Sequence, residues 1–151
     1  MAEIPDQIFE EITTLSERGN QLASNGQLAE ALSTFKQALA LVPEPQGERD
    51  SAFWLLVSIG DMEFLLGRYP ESRSVLMSAV TQFEEARSNP FVRMRLGQSM
   101  YELGEEKEAA NWLAGAYLSE GVQIFDQDDP KYLRFIKSQL EAPTGGWPDG
   151  W

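Results

Sequence analysis

Six of the twelve glycines in this chain of 151 residues fall into three pairs: Gly19 with Gly26, Gly60 with Gly67, and Gly97 with Gly104. Within each pair the spacing is seven, and successive pairs start 41 and then 37 residues apart. Self-similarity at a period of roughly 20 to 50 residues is the mark of a stacked repeat, in which one unit cannot bury its apolar face alone. The residues around the glycines carry helical periodicity. In Gly26–Pro43 the apolar positions Leu28, Ala31, Leu32, Phe35, Ala38 and Leu39 recur at intervals of three and four, and Pro43 ends the run. No segment alternates with period two for long enough to read as a strand, so the expected fold class is all-α.

Superposing the pairs aligns further positions. Ala31, Ser72 and Ala109 share one small position, Ala38, Ala79 and Ala116 a second, and Phe35, Leu76 and Leu113 a large apolar position between them. This pattern resembles the tetratricopeptide repeat family, whose two-helix unit carries a small residue in the first helix, Gly at the turn and small residues in the second helix. The resemblance implies a right-handed α-solenoid of three helix pairs, with repeats at about 12–45, 53–86 and 90–123. It places Gly19, Gly60 and Gly97 where helices cross, and Gly26, Gly67 and Gly104 at turns where a positive φ is cheapest for Gly. Three departures stand out: Arg18 where Leu is usual, Glu63 where an aromatic is usual, and only Pro43 at the terminal proline position. The periods also exceed the family's roughly 34 residues, so the second helices or the connections are long.

Beyond the third block the second helix is expected to run on through residues 115–127. Asp128, Asp129 and Pro130 then open a capping helix at about 129–141, since acids and Pro suit the first turn. Lys131, Arg134 and Lys137 would form its polar face, with Leu133, Phe135 or Ile136, and Leu140 packed inward. A single domain over 1–142 would then be followed by a Gly/Pro/Trp tail, 143–151, in which Trp147 and Trp151 either cover the last helix or meet a partner.

Composition restricts the chemistry. With no Cys and no His, the chain has no disulfide, thiolate nucleophile, imidazole base or zinc site of the usual kind. Glu105, Glu106 and Glu108 fit the first turn of a helix, and Glu84 and Glu85 are adjacent and cannot face each other as an acid/base pair. Asp126, Asp128 and Asp129 lack the Gly and distal Glu of a calcium loop. Arg93 and Arg95 read as rim charges. No Gly-rich phosphate cradle is present, so neither catalysis, a metal nor a cofactor is expected.

The net charge of -12 opposes nucleic acids and anionic membranes and favours a basic protein partner. An acidic start, and the absence of any apolar run near 18 residues, point to a cytosolic chain without a membrane span. In the resembled family the first helices line a groove. By position the groove would receive Thr13, Ser16, Asn20 and Ala23, then Trp54, Val57, Asp61 and Phe64, then Phe91, Met94, Gln98 and Tyr101. Of these, Trp54, Asp61, Phe64, Met94, Gln98 and Tyr101 form the expected partner-binding patch, because aromatics and Met beside acids compose interface hot spots. Residues 97–147 are also similar to small acidic repeat proteins of bacterial toxin-immunity loci, which implies neutralisation of a basic toxin domain. The alternative is a secretion-type chaperone or adaptor holding an extended segment. A carboxylate-clamping co-chaperone is disfavoured, because Ser16 and Asp61 stand where cations or amides would be needed.

Overall fold

The computed structural model describes residues 3–46, 49–140 and 145. Its helices are α1 (Asp6–Ser24), α2 (Leu28–Leu41), α3 (Asp50–Leu65), α4 (Tyr69–Gln82), α5 (Glu84–Ser88), α6 (Pro90–Glu102), α7 (Glu106–Glu120) and α8 (Pro130–Gln139), with a 3₁₀ turn at Val122–Phe125. No strand occurs among the described residues. The chain divides into two compact units, residues 1–86 and 87–151.

In the first unit α1 pairs with α2, α3 with α4, and α2 also packs on α3. Each hairpin turns in three residues and closes by the same two bonds. Gly26 N–H donates to Ala23 O and Gln27 N–H to Leu22 O; Gly67 N–H donates to Phe64 O and Arg68 N–H to Glu63 O. This is the glycine C-cap in which two orphan carbonyls of the first helix are satisfied by a residue at positive φ. Gly26 and Gly67 sit at φ 79° and 77°.

The helix crossings explain the other glycines. A Cβ added at Gly19 would lie 2.5 Å from the Phe35 ring, and one at Gly60 would lie 2.6 Å from Leu76. The large apolar residue at the aligned position therefore fills the space that the glycine leaves empty. Ser72 stands in a slot held by Ala in the other two repeats, and its Oγ donates to Gly60 O at 2.7 Å, tying α4 to α3 at the crossing. Helix α3 is apolar on most of its circumference, as a helix packed on several sides must be; Ala52, Phe53, Leu55, Leu56, Ile59 and Met62 are all buried.

The second unit repeats the device. Gly104 N–H donates to Tyr101 O and Glu105 N–H to Met100 O, Gly104 is at φ 81°, and a Cβ on Gly97 would meet Leu113 at 2.7 Å. The long period resides in the connections: residues 42–49 between α2 and α3, and Phe83 with α5 between α4 and α6.

Two expectations need correction. Helix α7 does not run on to residue 127. It stops at Glu120 because Gly121 takes φ 77°, and Val122–Phe125 coil into the 3₁₀ turn. The cap begins as expected, with Asp129 Oδ1 accepting from Lys131 N at 2.9 Å. Its inward face is Tyr132 and Ile136, one turn apart and buried, rather than Leu133 and Leu140. Trp147 and Trp151 lie outside the described residues.

Candidate functional site

The expected patch draws on both units, and each part stands by itself. On α3 of the first unit, Trp54 is 59% exposed while its ring packs edge-on against buried Phe53 at 4.8 Å between centroids. Phe53 is held in turn against Phe83 at 5.5 Å. The indole thus presents a large apolar area from a fixed base, at low entropic cost. Asp61 follows two turns later on the same helix face and is partly exposed. Phe64 is 8% exposed and packs on Tyr69; Val57 is likewise buried. On α1, Thr13 and Asn20 are exposed, whereas the Ser16 hydroxyl donates back to Ile12 O within its own helix.

In the second unit Met94 and Gln98 are interior, at 3% and 0% exposure. Tyr101 is partly exposed and packs against Tyr132 and Phe135 of the capping helix at 5.6 and 4.8 Å. Of the six residues, Trp54, Asp61 and Tyr101 reach the surface, and Phe64, Met94 and Gln98 are packed within the protein. Gln98 is buried because it serves an ion pair that sequence spacing does not reveal. Arg95 Nη1 donates to Gln98 Oε1 at 2.8 Å and to Asp128 Oδ1 at 2.7 Å, with the guanidinium 5.1 Å from the Phe91 ring centre. Arg95 and Asp128 side chains are 8% and 11% exposed. Arg93 is also structural, donating to Arg87 O, Gly115 O and Ser119 Oγ. The reading of Arg93 and Arg95 as rim charges is therefore corrected: both hold the repeat together. Near them Lys131 pairs with Glu102, and the Tyr132 hydroxyl donates to Glu102 Oε1 at 2.7 Å, so Lys131 belongs to the packing of the cap.

Two of the carboxylates that sequence reading singled out have local duties. Asp128 and Asp129 serve Arg95 and the α8 N-terminus, and no cluster of three or more metal-ligating side chains occurs among the described residues. No described helix is long and apolar enough to cross a membrane.

The repeated crossing and turn geometry meets its counterpart in known proteins. A model of the tetratricopeptide repeat family matches residues 10–85. The chain belongs to the tetratricopeptide repeat family. Solved structures that resemble it include the first such domain of Spaghetti (RPAP3) bound to the HSP90 peptide SRMEEVD. That match has 16% identity and TM-score 0.63, covering 85% of this chain and 90% of that one. The OM64 domain of Arabidopsis matches at 16% identity and TM-score 0.66, over 88% and 99% of the two chains. The C-terminal tetratricopeptide-containing domain of the Plasmodium falciparum protein PFL2275c matches at 14% identity and TM-score 0.66, over 87% of each. No curated protein matches the sequence. At these identities the likeness concerns the fold, and the all-α solenoid of tetratricopeptide helix pairs expected from the sequence is the fold these structures share. The three helix pairs share one logic: glycine at the crossing, glycine at the turn, large apolar residue opposite.

Proposed function

We propose that this domain is a non-catalytic adaptor that binds an extended, basic segment of another protein, with Trp54 as the apolar anchor and Asp61 as its charged neighbour. The observation that carries this is Trp54 itself: a 59% exposed indole, braced from below, on the first helix of a repeat in a chain of net charge -12. Large exposed aromatics on a rigid helix are the residues that dominate interface energies. The Spaghetti domain's bound peptide supports a peptide-binding role for this architecture. That peptide is itself acidic, and the charge of the present chain opposes a ligand of that sign and favours a basic one.

The narrower reading, neutralisation of a bacterial toxin domain, draws its support from the resemblance of residues 97–147 to proteins of toxin-immunity loci. The two differ in the state of the partner: an adaptor holds a short extended peptide, an immunity protein a folded domain. Trp54→Ala is expected to weaken partner binding at least about 30-fold, equivalent to about 2 kcal/mol, while the melting temperature stays near that of the parent. Leu118→Ala, which removes a still more exposed side chain on α7 (79%), should leave affinity unchanged. Isothermal titration with the partner and with its isolated peptide segments checks both points; parental affinity in Trp54→Ala would remove the α3 surface from the binding site.

A further inference from the structure

Glu63 is one of the three departures from the family pattern, and its carboxylate is buried. It is only 4% exposed, and its Oε2 has no hydrogen-bond partner. It lines an open cleft of about 470 Å³ whose other walls are Lys36 of α2 and Pro70, Glu71, Ser74, Val75 and Ser78 of α4. A buried carboxylate oxygen without a donor is costly, by far more than a satisfied one. A core position that resemblance assigns to an aromatic would be better filled by one if packing were all it served.

We propose that this cleft binds the guanidinium of an arginine side chain presented by another protein. Guanidinium fits the inventory. The cleft offers two carboxylates, the buried Glu63 and the exposed Glu71, together with the hydroxyls of Ser74 and Ser78. An arginine brings five donors and no acceptor in a planar fork matched to carboxylates. Lys36 is exposed and can swing out, so it acts as a resident counter-charge that an incoming guanidinium displaces. The site lies apart from Trp54 in its residues and chemistry, and it stands or falls separately from the anchor assigned above.

Burial pushes the Glu63 carboxyl above its ordinary value, Glu71 adds to the rise, and Lys36 and Arg68 oppose it. Since the folded-state value is the raised one, the fold is not penalised below the ordinary carboxylate range and loses stability as pH rises through it and through the folded-state value. Glu63→Gln is therefore expected to melt higher than the parent at pH 7, with the gap closing in acid.

The test is titration of ¹⁵N-labelled protein with N-acetyl-arginine methylamide, followed by amide chemical shifts at pH 7. Saturable shifts are expected at Glu63, Glu71, Ser74 and Ser78. Binding should be at least about 5-fold weaker for the N-acetyl-lysine analogue, several-fold weaker in Glu71→Gln, and tighter in Lys36→Ala. It should be at least about 10-fold weaker in Glu63→Gln, whose raised melting temperature shows that the fold is intact. Shifts that never saturate and spread over every acidic surface would mean ordinary counter-ion association and overturn the proposal. Unchanged binding in Glu63→Gln would do the same, and equal affinity for the lysine analogue would overturn the assignment to arginine.

Discussion

Replacing Gly97 with alanine is expected to destabilise the protein by about 1 to 3 kcal/mol, and with leucine by more. Alanine ordinarily favours a helix over glycine by up to about 1 kcal/mol, so the sign is informative. It arises because the new Cβ would sit 2.7 Å from Leu113 Cγ and 3.1 Å from the Leu113 backbone nitrogen. Leu113 is wholly buried, and a backbone atom cannot rotate aside. At Gly60 and Gly19 the nearest atoms belong to side chains, Leu76 and Phe35, which can yield a little. The loss should therefore be largest at Gly97. For a domain of this size each kcal/mol moves the melting temperature by about 2 to 4 °C. A series of melts on the three alanine variants reads the order directly, and three parental melting temperatures would show that helices do not cross at these glycines.

The second large effect is expected at Asp128. Truncation to alanine takes a carboxylate from a guanidinium that is 8% exposed, and losing one partner of a nearly buried ion pair costs far more than losing one at the surface. The expected cost is about 2 to 4 kcal/mol. Asp128→Asn, which keeps an acceptor without the charge, should lose less. The double variant Arg95→Met with Asp128→Ala should recover much of the loss, because an apolar replacement of both partners removes the desolvated charges together. Urea unfolding of the single and double variants measures the coupling. Additive losses would show that the two residues act independently.

The Arg95 pair also shows where sequence reading stops. Glycines at turns and crossings are legible because each answers a local demand, a positive φ or an absent Cβ, repeated three times. A contact between Arg95 and Asp128 spans 33 residues and leaves no periodic trace, and without it Gln98 looks like a free amide on a groove-facing slot. Phe64 and Met94 occupy such slots too, but slot position does not say how much neighbouring structure covers a side chain; Trp54 stayed outside and they did not. The end of α7 was hidden for a different reason. The apolar run after Gly121 has the right composition for a helix, and only the φ of that glycine breaks it. Glu63 was visible as a departure from the aromatic expected at its position. Its burial was not, since that depends on how the helices around α3 pack.

A photo-crosslinking phenylalanine analogue placed at position 54, compared with the same analogue at position 118, tests most directly whether the α3 surface is the place where a basic protein docks. Irradiation in the native cells should give a discrete protein adduct from position 54 and not from 118. The adduct should come from a protein with a basic contact segment, and its yield should fall as salt is raised beyond about 0.15 M, where the Debye length is about 8 Å. An adduct from position 118 alone, or a position 54 adduct with an acidic segment that is insensitive to salt, would contradict both the surface and the sign of the partner.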